Sequence, residues 1–244
     1  MKRLMLLLTF AIIFVSYPIS GLAQSKNDKD HPKVRRWSVS YCLGLASSGP
    51  ASDIERAMTA SGFDDTSYGL FSSKPIGHPF STTGIGHTLI EVHYLIKDHF
   101  SVGAILGNSS IGETLGYHDP LCYLFIKYSV KIYAPVFSVL SHGFRLGIGP
   151  AWYIANATRT DAGGGTPSKS VNKLGFLFDL GLNVPENSRF FFELKVQYRS
   201  VGKIEIGPYE SKFETELLKE SSTFPASKVS YNHFFVGIGV GFRL

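Results

Sequence analysis

From Trp37 to Leu244 one pattern recurs: runs in which every second residue is apolar and the residues between are small or polar. Side chains alternate across a strand with period two, so each run reads as a strand with one greasy face. The clearest is the last, where Phe234, Val236, Ile238, Val240, Phe242 and Leu244 alternate with Phe235, Gly237, Gly239, Gly241 and Arg243. Glycine packs nothing and costs backbone entropy, so a glycine face belongs where the inner side of a sheet is crowded, as in a narrow closed barrel. Trp37 to Ala46 has the same division, with Trp37, Val39, Tyr41, Leu43 and Leu45 on the greasy side.

Six more strands lie between these two. Ile90, Val92, Tyr94 and Ile96 are followed, after a tight Lys97-Asp98 turn, by Phe100, Val102, Ala104 and Leu106. A fourth strand sets Ile126, Tyr128, Val130 and Ile132 against Lys127, Ser129 and Lys131, and Pro135 to His142 reads as a turn with unusually apolar content. The fifth carries Phe144, Leu146, Ile148, Pro150, Trp152 and Ile154, and Pro150, with no amide to donate, predicts a bulge or break in the ladder. Leu174 to Leu182 and Phe190 to Tyr198 are the sixth and seventh strands, joined by the short turn Pro185-Glu186-Asn187-Ser188. Ile204 and Ile206 suggest that the seventh runs on before the last strand begins.

The connections alternate long and short: Ser47 to Gly84, Asn108 to Pro120, Asn156 to Asn172 and about Val201 to Lys228 are long. The first long connection holds the one predicted helix, from about Asp53 to Ser61. Ser52 and Glu55 have the spacing of a capping box, Ile54, Ala57 and Met58 share a face, and Gly62 stands where a helix end favours positive φ. Short turns at one end and long loops at the other are the signature of an antiparallel membrane barrel.

An export signal precedes the strands. Lys2 and Arg3, then an apolar run from Leu4 to Val15, then Gly21-Leu22-Ala23 predict a cleaved signal peptide over 1–23. The polar segment 24–36 reads as a flexible periplasmic lead-in, and 37–244 as the barrel. Net charge is +5, much of it in Lys2, Arg3, Lys33, Arg35 and Arg36. Such terminal charge is ordinarily solvated, and an exported chain meets no nucleic acid. Cys42 and Cys122 fall on strands that are not neighbours in an eight-stranded meander, so a bridge between them is not expected.

The final strand, with Phe and Leu among its last three positions, resembles the end of bacterial outer-membrane β-barrel proteins, and Trp37 to Leu244 as a whole resembles the small OmpA/OmpX type. The resemblance implies an all-β, eight-stranded antiparallel transmembrane barrel with one short helix in its first long extracellular loop. It further implies that both termini lie in the periplasm, that outer-membrane lipid is a partner, and that the barrel-assembly machinery engages the last strand.

The charges decide which face is inside. Glycines share their face with Glu91, His93, Lys127, Lys131, Arg145, Asp179, Glu193, Lys195 and Arg199. A membrane barrel turns its apolar band outward, so this set is expected to form a paired network in the lumen. A soluble lipocalin-like barrel is the alternative and would turn the charges out. Trp37, Phe100, Phe144, Phe190 and Phe242 fall at the periplasmic strand ends, as an interfacial girdle requires.

No catalytic, cofactor-binding or metal-ligating residue is assigned. Ser141-His142 falls at a short turn; His87 and His118-Asp119 fall on the long-loop side, with Ser109 and Ser110 in the same loop as His118, where a lipid-modifying enzyme would need them, but no spacing ties them together. There is no HExxH and no Cys-x-x-Cys. The expected role is therefore non-enzymatic: envelope structure, or binding of an extracellular ligand at the loops.

Overall fold

The computed structural model describes residues 36–47, 50–64, 66–68, 75–77, 81–83, 85–97, 99–118, 123–161, 168–186, 188–214 and 219–244. The expected signal segment, the lead-in up to residue 35, Asp98, Asp119, Cys122, Gly163 to Gly165 and Asn187 lie outside the described residues.

Short strands β2 (Thr66–Tyr68), β3 (Pro75–Gly77) and β4 (Ser81–Thr83) lie in the first long connection, and eight strands make the wall: β1 (Trp37–Ala46), β5 (Ile85–Lys97), β6 (Phe100–Tyr117), β7 (Tyr123–Ser141), β8 (Phe144–Asp161), β9 (Ser168–Val184), β10 (Phe190–Ser200) and β15 (His233–Arg243). Each pairs antiparallel with its neighbours in the order β1–β5–β6–β7–β8–β9–β10–β15, and β15 returns to β1, so the ring closes. Its outward positions are apolar: Leu146, Leu174, Phe190, Phe192 and Ile238 are each more than 60% exposed. Glu91, Asp179, Glu193, Lys195 and Arg199 are buried inside. That is a lipid-facing surface around a polar interior, the inverse of a lipocalin. At the end of the barrel with short turns, Trp37 packs on Tyr94 with centroids 4.8 Å apart, and Phe190 on Phe242 at 4.9 Å.

The glycines of β15 have the steric role their pattern suggests. A Cβ on Gly237 or Gly241 would enter the rings of Phe235 or Phe191, and one on Gly239 would meet the Cys42 thiol. At the short-turn end, β7 and β8 are joined through His142 and Gly143, both at positive φ (49° and 80°), as a two-residue I′ hairpin requires.

The wall is uneven. β6 to β9 are 18, 19, 18 and 17 residues long, whereas β1, β10 and β15 have 10, 11 and 11. Two expected loops therefore prove to be largely strand. β6 runs through Asn108 to Tyr117, across a register shift between Ser110 and Gly112. β8 continues to Asp161, and β9 begins at Ser168. The apolar stretch from Pro135 is strand as well, and Phe137 and Val139 point to lipid. The expected break at Pro150 is present: the β7–β8 ladder stops after Tyr133–Trp152 and resumes at Phe137–Ile148, with Pro135 facing Pro150 in between. Neither proline has an N–H for the ladder.

Beyond the membrane band the wall changes character. Outward positions on β6 to β9 become polar, including Asn108, Ser110, Lys127, Ser129, Lys131, Asn172, Ser170 and Ser168. Inward positions become apolar, with Ile111, Leu124, Ile126, Tyr128, Val130, Ala155 and Ala157 buried. Two elements cover this concave apolar face. Helix α1 (Ala51–Ala60) lays Ile54 and Met58 on it. β11 (Lys203–Ile206) pairs with β14 (Ser227–Ser230) as a ribbon that buries Ile204, Ile206 and Val229. β12 (Tyr209–Glu214) and β13 (Lys219–Phe224) extend it as a second hairpin. β11 is thus not a continuation of the seventh strand: the chain turns at Gly202, with φ of 89°, and pairs with β14 instead.

The helix face is as expected, but the capping box is not formed. The helix starts at Ala51, its N-cap is Pro50 with no side-chain cap, and Ser52 lies within the first turn. Asp53 is instead used across the cap, its Oδ2 accepting the backbone N–H of Ser230 at 2.9 Å. Gly62 ends the helix at φ of 81°. Gly116 makes room beneath it, since a Cβ there would come within 2.9 Å of Met58 Sδ and 3.1 Å of Phe63.

A helix of 10 residues has no independent stability, so its anchorage depends on this packing. Met58→Asp buries an unpaired carboxylate there and is expected to speed protease cleavage around α1 by tenfold or more, about 1.4 kcal/mol of local opening. The ring itself should keep its unheated gel mobility. Unchanged cleavage would mean that α1 does not depend on the face it covers.

Candidate functional site

Four consecutive inward positions of β10 carry Glu193, Lys195, Gln197 and Arg199, and facing strands complete the cluster with Glu91 from β5, Arg145 from β8 and Asp179 from β9. Arg145 Nη2 donates to Glu91 Oε2 at 2.5 Å and to Glu193 Oε1 at 2.6 Å, with Asp179 Oδ2 at 3.5 Å. Lys195 Nζ pairs with Glu91 Oε1 and lies 3.2 Å from Asp179 Oδ1 and 3.2 Å from Glu193 Oε1. Two cations thus share three carboxylates in an interior without bulk water.

Arg199 is the third cation, and its nearest partners are neutral. Its guanidinium donates to Gln197 Oε1 at 2.9 and 3.2 Å and to Ser109 Oγ, and lies over the Phe235 ring at 5.0 Å. Gln197 Nε2 in turn donates to Asp179 Oδ1 at 2.8 Å, linking Arg199 to the carboxylates. His233 Nδ1 lies 2.9 Å from the Tyr231 carbonyl, which can only accept, so Nδ1 carries the proton. Its Nε2, 3.3 Å from Arg199 Nη1, is therefore an acceptor and the ring is neutral. Glu91, Asp179 and Glu193 balance Arg145, Lys195 and Arg199, three charges against three, with His93 Nε2 at 3.3 Å from Glu91.

Seven of the nine expected lumen residues therefore meet: Glu91, His93, Arg145, Asp179, Glu193, Lys195 and Arg199. Lys127 and Lys131 do not. Both point outward on β7, and Lys127 is exposed and pairs with Glu113 at 3.7 Å on the outer surface. They stand where β7 has left the membrane band, so the polar face of the strand there meets water and its apolar face is the interior one. Gln197, Ser109, His233 and Cys42 were missed. Gln197 shares the inward parity of β10 and could have been found from it. Ser109 falls in a stretch that reads as loop, and His233 stands just ahead of the last expected strand. Cys42 is a free, buried thiol whose Sγ donates to Glu193 Oε2 at 3.4 Å.

The residues considered for catalysis are scattered. Ser109 lies inside the lumen against Arg199, whereas His118 follows the end of β6, roughly 30 Å along the same extended strand. His118 packs edge-on to Phe63, with centroids 5.6 Å apart. His87 is buried beside the Phe235 ring, 5.7 Å away. Ser141 Oγ and His142 Nδ1 are 3.0 Å apart on the exposed hairpin at the opposite end. Among the described residues no group of three or more His, Cys, Asp or Glu side chains could hold a metal ion, and the three carboxylates of the cluster are taken up by Arg145 and Lys195.

No protein-family model matches the chain, and no curated protein matches it. Solved structures with a similar course of the chain have low identity. Neisserial surface protein A is 12% identical, with 85% of this chain and 97% of that chain covered and a TM-score of 0.38. Ail, the attachment invasion locus protein of Yersinia pestis, solved in complex with the heparin analogue sucrose octasulfate, is 12% identical over 85% and 97%, with a TM-score of 0.37. The outer membrane protein OprG from Pseudomonas aeruginosa is 11% identical over 86% and 97%, with a TM-score of 0.35.

Removing one partner from a buried pair leaves the other charge uncompensated. Arg145→Ala is therefore expected to cost about 3–5 kcal/mol. Lys127→Ala, which breaks an exposed pair, should change stability by less than about 1 kcal/mol. Urea midpoints of the refolded barrels check both, and coincident midpoints for Arg145→Ala and the wild type would mean that Arg145 is not in a packed interior.

Proposed function

We propose that this chain is a non-enzymatic outer-membrane barrel that serves envelope structure or surface binding, with both termini periplasmic and the long-loop end outside the cell. The observation that carries the reading is the filling of the lumen at two levels. The charge cluster occupies the membrane section, and α1 with the β11–β14 ribbon covers the wall above it. Eight strands enclose a space that side chains can fill, so general solute diffusion is disfavoured. What remains available to a partner is the outer surface of the cap, carried on a rigid wall, which is where recognition ordinarily resides. The scatter of the histidines and serines supports a role without catalysis, and no cofactor is invoked. Lipid contacts the apolar band, and the last strand, β15, is the one offered to the assembly machinery.

Fractionation and surface mapping test this reading. The protein should require detergent for release from the outer membrane and should migrate faster on a gel unheated than boiled, because a closed ladder has no edge within the membrane. Protease added to intact cells should cut within the β12–β13 hairpin and spare both termini. In planar bilayers the purified protein should produce no stable conductance steps. Recovery as a soluble periplasmic protein, or a reproducible open channel, would overturn it.

A further inference from the structure

The low part of the wall leaves one side of the tall part unpaired. The β8–β9 ladder runs as far as Thr158–Ser168, but the β9–β10 ladder ends at Ser200–Phe176. Beyond that pair the chain turns at Gly202 and its next strand pairs with β14, leaning over the lumen and away from β9. Among the described residues, no backbone partner follows Ser200 along β9, so residues 168–174 present a free edge roughly 23 Å long. Such an edge is a template for another strand.

Its side chains narrow the choice of strand. Ser168, Ser170 and Asn172 point outward, while Lys169, Val171 and Lys173 share the inner face. Across the β8–β9 ladder the two lysines meet Ala157 and Tyr153, and among the described residues neither has a carboxylate partner. A second copy is a poor occupant. In the antiparallel register that uses the whole edge, centred on Val171, Lys169 of one copy would lie opposite Lys173 of the other, twice over. Like charges directly opposite destabilise a pair of strands, and opposite charges stabilise it.

We infer that this edge is a docking site for an extended polypeptide from another protein, one bearing acidic side chains at alternate positions. Main-chain hydrogen bonds to β9 supply register-independent affinity, and the two lysines supply selection. The inference deepens the surface-binding reading and rests on it for the partner's access to the edge.

The test uses the folded full chain in detergent and a capped peptide of alternating Thr and Glu long enough to span the edge. Deuterium exchange should slow at residues 168–174 when the peptide is added. A peptide of alternating Thr and Lys should bind about tenfold more weakly or worse. The double variant Lys169→Glu/Lys173→Glu should reverse that preference while keeping its unheated gel mobility, since two attractions become two repulsions. Equal binding of both peptides, protection confined to other segments, or cross-linking of Asn172→Cys between two copies would overturn the inference. Labelling of Asn172→Cys by an impermeant maleimide on intact cells separates the two readings. Failure to label would overturn surface exposure, whereas failure of the peptide on the purified barrel would overturn the edge alone.

Discussion

A ring of eight strands encloses too little space for bulk water, so every charge inside it must find its partner in protein. Arg145 and Lys195 meet that condition by dividing Glu91, Asp179 and Glu193 between them, from four different strands. The pairing closes on the ring as a whole, because β5 and β8 are not neighbours and can reach each other only across the lumen. Desolvating so many charges is costly, and buried ion pairs often add little net stability. Their effect is specificity instead: a one-residue slip of β10 would send Glu193, Lys195 and Arg199 to the lipid and Phe192, Leu194 and Val196 into the cluster. The glycines of β15 belong to the same constraint. With Phe191, Phe235 and Cys42 already filling the space before them, no Cβ fits.

The second constraint is that β6 to β9 each cross from one solvent to another. In the membrane the outside is hydrocarbon and the inside polar; beyond it the outside is water and the inside must be the apolar side. β7 displays the reversal along a single strand. Its outward face reads Lys127, Ser129 and Lys131, then Tyr133, Phe137 and Val139, while its inward face reads Ile126, Tyr128, Val130 and Ile132, then Val136 and Ser138. The tall wall therefore behaves as two sheets joined end to end, one built for lipid and one built as half of a soluble core. The second half needs a cover, and α1 with the β11–β14 ribbon provides it, tied to each other by Asp53 and Ser230. The helix is best understood in this light: its apolar face is dictated by the wall beneath it.

Strand number and the inward parity of β5, β8, β9 and β10 were legible because period-two alternation and a steady lipid face run together there. The misplaced lysines and the hidden upper strands share one cause. Reading a strand with a fixed sense of inside assumes one solvent along its length, and that assumption places Lys127 and Lys131 in the lumen when the reversal has already put them in water. The same reversal hid the upper parts of β6, β8 and β9, where Ser, Asn and Thr on the wet face resemble loop composition. Pro135 has the look of a turn residue, yet opposite Pro150 it costs a few ladder bonds and leaves the register intact. Ser52 had the spacing for a cap, but the packing of Ile54 and Met58 places the helix start at Ala51, which leaves Ser52 inside the first turn.

The cap and the open edge have a common origin. To cover the apolar wall, the chain leaving β10 must bend over the lumen, and it does so immediately after Ser200, through Val201 and the positive φ of Gly202. Had β10 continued upward beside β9, the edge would be paired, but Ile204 and Ile206 would remain in the wall and could not cover the lumen. Closing the interior thus requires that the upper part of β9 lose its neighbour. An unpaired edge invites indiscriminate pairing unless something restrains it. Lys169 and Lys173 impose that restraint, because a strand must answer both charges on one face before it can use the backbone beside them. The same two residues that protect the edge from its own kind therefore define what can occupy it.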